Sequence, residues 1–218
     1  MSTGSRAGTK GVPREEREQQ ILDVATAEFG RRGYAAASVA DIAVAAGVSK
    51  PLVYTYFGSR DGLHAACLER AANRLLPAVA EAQSAPGPVR ALTTLTAIFT
   101  ALDGHIEDWQ VIYDPTLPRP GEAHDRARVH QKALNAMGSQ GVADVLRTAT
   151  ADEPAGLTAP EDGDDHSLLL TWWFAIVSST VSWWADHPEQ TAQQMTERCM
   201  RVLGSLTSHP SLRTPPSM

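Results

Sequence analysis

A short segment in the first third of the chain carries side chains suited to hydrogen bonding with nucleic acid. Lys50 and Tyr54 are four residues apart, as are Pro51 and Thr55, so a helix places all four within one broad face. Lys50 can reach a phosphate or a guanine edge, and Pro51 offers an apolar contact to a thymine methyl group. The segment therefore predicts a DNA-reading surface.

Eight residues make up the predicted DNA-binding set. Phosphate contacts, which fix the position of the protein on DNA, are assigned to Ser38, Tyr54, Tyr56 and Arg60. Base-edge contacts are assigned to Lys50, Pro51 and Thr55. The plainer alternative is a structural helical hairpin with two surface tyrosines. The full set is Ser38, Ser49, Lys50, Pro51, Tyr54, Thr55, Tyr56 and Arg60.

Two short helices joined by a glycine turn must hold this set in place. Ser38 caps the first helix, which ends near Ala46, and Gly47 permits the positive φ of the turn. Ser49 caps the second helix, and Pro51 lies in its first turn, where a missing N–H costs nothing. The pattern is typical of a helix-turn-helix, which presents its second helix to the DNA major groove.

The other side of the second helix is apolar. Val53 and Phe57 are four residues apart and share a face. They are expected to pack inward against Ile42 and Ala43 of the first helix. This packing leaves the DNA-binding set facing outward.

Helical periodicity and turn residues predict an all-α fold, with no convincing strand or internal repeat. The last two helices are expected to be joined by a one-residue turn at His187, and residues 151–163 form an acidic loop. The predicted helices span 14–32, 38–46, 50–57, 60–83, 89–103, 105–113, 122–150, 165–186 and 188–208. The expected divisions are a disordered arm at 1–13, a DNA-binding domain at 14–60, a second helical domain at 61–208 and a loose tail at 209–218.

Charge is distributed unevenly between the two predicted domains. The 218 residues carry a net charge of -6, yet residues 1–74 hold 10 Lys and Arg against 8 Asp and Glu. A weakly basic N-terminal part and an acidic C-terminal part suit a DNA-binding domain joined to another module. The two distant cysteines and the polar N-terminus predict free thiols, no signal peptide and a cytoplasmic protein.

One uncharged stretch, residues 167–185, has the length of a membrane span. Six hydroxyl side chains interrupt it, and aspartates flank it closely. A helix that is apolar all round also occurs in protein cores. The stretch is therefore interpreted as a helix buried in protein.

Residues 17–63 resemble the DNA-binding domain of the tetracycline-repressor (TetR) family. Ser38, Arg60 and Asp61 replace the common Thr, Lys and Glu with similar chemistry, while Pro51 replaces a common Gly or Ala and should alter base preference. The resemblance is carried by Ile21, Leu22, Ala25, Phe29, Gly33, Tyr34, Ser38, Val39, Ile42, Ala43, Ala46–Ser49, Leu52–Tyr54, Tyr56, Phe57 and Ser59–Leu63.

The resemblance implies a homodimeric transcriptional regulator, in most members a repressor, bound to a palindromic operator. It implies three N-terminal helices for DNA and about six more for ligand binding and dimerisation, the last two pairing with the partner's copies. A ligand would tilt the fourth helix and move the recognition helices away from the groove spacing of roughly 34–36 Å. Operator affinity would then fall.

Four tryptophans of the predicted eighth helix form two stripes. Trp172 and Trp183 are 11 residues apart, about three helical turns, and Trp173 and Trp184 repeat that spacing about 100° round the helix. One stripe should meet the chain's own core, and the other should meet a partner subunit or a ligand. Pure packing for all four is the alternative.

A small hydrophobic or amphipathic ligand is predicted, because aromatic candidates outnumber charged ones. The predicted ligand-binding residues are Phe99, Trp109, Tyr113, Met137, Trp172 and Trp173.

No cofactor, metal site or catalytic set is predicted. The polar residues near the expected pocket entrance include His105, His124 and His130, and no pair has the spacing of a helical metal clamp. No nucleophile motif or phosphate-binding loop occurs either. Two alternatives stay open: a dimeric DNA-binding regulator without a ligand, and an enzyme or carrier on the same scaffold.

Overall fold

The computed structural model of the protein describes residues 13–149 and 163–207. Within these ranges the chain is all-α, as predicted, and contains no strand. Nearly all of the predicted arm, acidic loop and tail lies outside the described residues. The helices are α1 (Arg14–Ala36), α2 (Val39–Ala45), α3 (Lys50–Phe57), α4 (Arg60–Ala82), α5 (Gly87–Leu102), α6 (Glu107–Ile112), α7 (Glu122–Ala149), α8 (Gly163–Ala185) and α9 (Ala192–Thr207).

The link between α8 and α9 differs from the prediction. The one-residue turn at His187 is wrong, because α8 ends at Ala185 and α9 begins only at Ala192. Thr191 and Gln194 form a reciprocal capping pair: the Gln194 N–H donates to the Thr191 hydroxyl at 3.3 Å, and the Thr191 N–H donates to the Gln194 side chain at 2.9 Å. This capping box fixes the start of α9 at Ala192, directly after Thr191.

The described residues divide into two compact units that do not follow the order of the chain. The first unit holds residues 13–72 and 107–129, and the second holds 73–106, 130–149 and 163–207. The first unit is larger than the predicted domain at 14–60 because α6 packs on α1. The Trp109 and Ile112 side chains of α6 are buried.

Each unit has an apolar core of its own. In the first unit it is built on Phe29, Ile42 and Val53, each at most 1% exposed. In the second unit α5 and α9 pack together around Phe99 and Met195. These cores hold the helices that carry the candidate sites.

Helix α8 is buried on one side only. Val177, Val181 and Trp184 are buried, whereas Trp172 is 57% exposed and Trp183 is 40% exposed. The chain's own core therefore covers one side of α8, and burial of its other side by a partner or ligand stays a prediction. No helix in the described part of the chain is long and apolar enough to cross a membrane.

Candidate DNA-binding site

Serine caps set the start of both helices of the helix-turn-helix. The Ser38 hydroxyl accepts the N–H of Asp41, and the Ser49 hydroxyl accepts the N–H of Leu52, both at 3.3 Å. Gly47, between the helices, has a φ of 65°, which glycine adopts without strain. These bonds confirm the predicted caps and leave each serine O–H free to donate to an acceptor such as a phosphate oxygen.

The inner face of α3 is anchored as predicted. Val53 is fully buried, and Ile42 and Ala43 of α2 are at most 2% exposed. Phe57 is half-buried rather than buried, and its ring lies 6.1 Å from that of Tyr56. Because the inner face is held in this way, the opposite face of α3 is turned to solvent.

The outward face of α3 carries four of the predicted contacts. Lys50, Pro51, Tyr54 and Thr55 are exposed, and the Lys50 ammonium lies 5.9 Å from the centre of the Tyr54 ring. The Thr55 hydroxyl donates to the carbonyl of Pro51 at 2.9 Å. Its proton is therefore used within the helix, which leaves its oxygen and methyl group for a base edge.

Tyr56 and Arg60 have neighbours within the protein. Tyr56 is half-buried, and the Arg14 guanidinium lies 5.2 Å from its ring centre. Arg60 donates to the carbonyls of Tyr34 and Ala37, the latter at 3.2 Å. The structure therefore gives Arg60 an internal bonding role, and its assignment to a phosphate stays a prediction.

The six predicted ligand-binding residues fall into both units. Trp109 and Tyr113 lie in the first unit, where their rings stack at 4.4 Å and burial raises the pKa of Tyr113. In the second unit, Phe99 meets Trp184 edge-on at 5.7 Å. Trp173 lies beside Gly138, where a Cβ atom in place of the glycine hydrogen would be 3.2 Å from the indole nitrogen.

The remaining two ligand candidates are also in the second unit. Met137 is half-buried on α7, and Trp172 is exposed on α8. The ligand-binding set as a whole stays a prediction, since its members are not all within one unit.

An open groove of about 390 Å³ lies between α8 and α9. Its α9 residues were missed from the sequence, although Met195, Cys199 and Val202 recur at helical spacing. None of the six predicted ligand-binding residues lines it. The lining consists of Ile176, Ser179, Thr180, Trp183, Met195, Arg198, Cys199, Arg201 and Val202.

The described residues do not bring together a metal centre. They contain no group of three or more His, Cys, Asp or Glu side chains placed to hold a metal ion. The site they do assemble is the exposed face of α3.

Comparison with known proteins places this site in a recognised domain. Residues 21–67 match the model of bacterial regulatory proteins of the tetR family. The chain is also 34% identical over 113 residues to the HTH-type transcriptional activator FasR of Mycolicibacterium smegmatis. That match covers 51% of each protein, so the chain spans about half the length of this curated relative.

Solved structures share the fold over nearly the whole chain. A TetR-family regulator from Bordetella parapertussis aligns with a TM-score of 0.70 at 18% identity, over 93% of this chain and all of that one. The regulator FadR of Bacillus subtilis, solved in complex with stearoyl-CoA, aligns with a TM-score of 0.56 at 16% identity, over 82% and 95% of the two chains. At these identities the likeness concerns the fold.

Proposed function

We propose that this chain, a regulatory protein of the TetR family, binds palindromic operator DNA through α2 and α3 as a homodimer. It acts in the cytoplasm as a transcriptional repressor and leaves the operator when a small hydrophobic or amphipathic ligand binds its second unit. DNA binding is the function that the family shares. The proposal adds ligand control and dimer formation for this particular chain.

The outward face of α3 carries the proposal. A buried Val53 anchors the helix, a serine cap begins it, and Lys50, Tyr54 and Thr55 are turned to solvent. A helix with one anchored face and one polar, exposed face fits the major groove. These residues also lie within the matched stretch 21–67.

An exposed apolar stripe supports the dimer. Leu168, Trp172, Ile176 and Trp183 of α8 are each at least 40% exposed. An apolar patch of this kind, beside the groove that α8 forms with α9, is typical of a protein–protein interface. A second copy of the chain would bury the stripe in a symmetric contact.

The ligand class is supported by the fold and by aromatic side chains. The B. subtilis FadR structure, which has the same fold, was solved with stearoyl-CoA. In this chain Phe99, Trp173 and Trp184 give the second unit an aromatic interior. Acyl-CoA molecules are therefore suitable first probes for an amphipathic ligand.

DNA binding is tested with DNA from the promoter region of the protein's own gene. We expect Lys50→Ala and Tyr54→Ala each to weaken binding roughly tenfold, as loss of one charge-assisted or phosphate contact would. Lys132→Ala, an exposed lysine of α7, is the matched control. Unchanged affinity in both α3 variants would contradict the assigned reading face.

Ligand control is tested by adding stearoyl-CoA and shorter acyl-CoA molecules to the protein–DNA complex. Release of DNA together with a change in tryptophan fluorescence supports the proposal. Trp173→Phe should diminish the fluorescence change if Trp173 lines the ligand site. DNA binding that no acyl-CoA alters would favour a regulator that works without this ligand class.

A further inference from the structure

Residues 33–37 comprise the end of α1 after its break at Gly33 together with Ala37, and they form the link into α2. This link is bonded to a loop far along the chain. The Tyr34 N–H donates to the carboxylate of Asp114, and the Ala35 N–H donates to the hydroxyl of Thr116 at 3.1 Å. The Thr116 N–H in turn donates to Asp114 at 2.7 Å. Asp114 is only 5% exposed, so its carboxylate is committed to this cluster.

The close approach of the two segments depends on a glycine. Gly33 has a φ of 72°, a conformation that side chains disfavour. A side-chain carbon at this position would lie 2.7 Å from the Thr116 hydroxyl oxygen and 3.3 Å from an Asp114 carboxylate oxygen. The backbone of the link therefore fits closely against Asp114 and Thr116.

The start of α4 holds the same link by separate bonds. Arg60 donates to the carbonyls of Tyr34 and Ala37, and its guanidinium lies 4.3 Å from the Tyr34 ring centre. The Tyr34 hydroxyl donates to Asp61. The link that enters α2 is thus bonded both by α4 and by the loop after α6.

Helix α6 brings that loop to α1. A side-chain carbon at Gly30 would lie 2.6 Å from the Cβ of Glu107, the first residue of α6. The Trp109 side chain on the same helix is buried. Two glycines of α1, Gly30 and Gly33, therefore permit α6 and the following loop to lie close against it.

We propose that Asp114 is a positioning residue for DNA binding. It holds the Tyr34 backbone and thereby sets the direction in which the chain enters α2, and so the position of α3. Asp114 acts through Tyr34 and does not touch DNA. The measurement of DNA affinity rests on the proposed function, whereas the measurement of hydrogen exchange does not.

The test compares Asp114→Asn and Thr116→Val with Asp125→Asn in the full chain. An asparagine has one acceptor oxygen where the carboxylate has two. One of the Tyr34 and Thr116 N–H donors therefore loses its acceptor, and the bond to the other is no longer charge-assisted. Asp125, on α7, has a side chain that is 76% exposed and serves as the control. Thr116→Val removes only the acceptor of the Ala35 N–H, which keeps the test valid if Asp114→Asn does not fold.

Hydrogen exchange at residues 33–37 should become at least about tenfold faster in Asp114→Asn, since a charge-assisted bond is lost. Exchange within α2 should be unchanged. Affinity for the promoter DNA should fall roughly tenfold because fewer molecules hold α3 in the competent position. The salt slope should stay the same, because it counts phosphate contacts and Asp114 makes none.

Several outcomes would overturn the proposal. These are unchanged exchange at residues 33–37, unchanged DNA affinity, or a salt slope that falls with the affinity. A wild-type protein that does not bind the promoter DNA would refute the proposed function, while the exchange experiment would still decide whether Asp114 holds the link.

Discussion

Buried polar side chains concentrate in the first unit, and exposed apolar side chains concentrate in the second. Among the described residues, five of the six buried polar or charged side chains belong to the first unit, and only Thr94 belongs to the second. The second unit exposes the apolar stripe of α8 together with Met200 and Val202 of α9. The five are Arg17, Thr26, His64, Asp108 and Asp114.

This difference reflects two kinds of requirement. Directional hydrogen bonds such as those of Asp114 specify one geometry, which suits the proposed presentation of α3 to DNA. Apolar surface specifies little about geometry but gains much free energy when a partner covers it. Hydrogen bonds therefore hold the first unit in one geometry, whereas the second unit exposes an apolar surface that the proposed dimer would bury.

The largest expected effect comes from placing a charge on the apolar stripe. Ile176→Asp should convert the proposed dimer to monomers, because a buried unpaired carboxylate opposes association. DNA affinity should fall by more than about 100-fold, since the two half-sites are then bound independently. Sedimentation velocity and DNA titration measure both quantities.

Val89→Asp is the control for the stripe. Val89 is 49% exposed on α5 and does not line the groove. It should leave both the sedimentation coefficient and the DNA affinity unchanged. A wild-type protein that sediments as a monomer would contradict the proposed dimer.

His64 makes the stability of the first unit sensitive to acid. It is 1% exposed between the rings of Phe29 and Tyr34, and neither ring nitrogen has a hydrogen-bond partner. Burial lowers its pKa from 6.5 to about 4, against the opposing effect of the Asp114 and Asp61 carboxylates, while Arg60 lowers it further. Because the unfolded chain binds this proton more readily, the free energy of unfolding falls as the pH drops below 6.5.

Replacing this histidine should remove that acid sensitivity. Between pH 7 and pH 5 the wild type should lose about 2 kcal/mol more than His64→Leu, as measured by urea unfolding. His124→Gln, which alters a histidine beside the exposed Asp125, should behave like the wild type. Parallel pH profiles for wild type and His64→Leu would show that the buried ring does not titrate as inferred.

The smallest expected effect lies on the buried tryptophan stripe. The Trp184 indole N–H donates to the carbonyl of Gln190 at 2.8 Å. Trp184→Phe removes this donor and should lower the free energy of unfolding by about 1 kcal/mol. In the Ile176→Asp background, which separates folding from association, Trp172→Phe should have no effect because that ring is 57% exposed. Equal effects of the two substitutions would contradict the assignment of inner and outer stripes.

Most of the fold was predictable because its helix ends follow local rules. Ser38, Ser49 and Gly47 act on residues within four positions of themselves, so their roles were visible in the sequence. The Thr191–Gln194 capping box followed the same kind of rule and was overlooked. Which face of α3 is exposed was predictable for the same reason, since helical spacing alone separates that face from Val53.

The rest depended on contacts between distant parts of the chain. Arg60 was interpreted as a phosphate contact, yet its guanidinium bonds carbonyls that lie 26 and 23 residues earlier. Asp114 lies 80 residues beyond Tyr34 and resembled an ordinary loop residue. No periodicity connects such positions, so their interaction could not be predicted from spacing.

In α8, the sequence determines how the tryptophans are paired, and the tertiary structure determines which pair is the more buried. The sequence by itself determined that Trp172 pairs with Trp183 and that Trp173 pairs with Trp184, because the helical repeat is a local property. Only the tertiary structure decided that Trp184 is buried, since Phe99 of α5 and the Gln190 carbonyl supply its contacts. Burial is decided by which distant surface covers a face, and in this chain the stripe of Trp172 and Trp183 is the one left exposed.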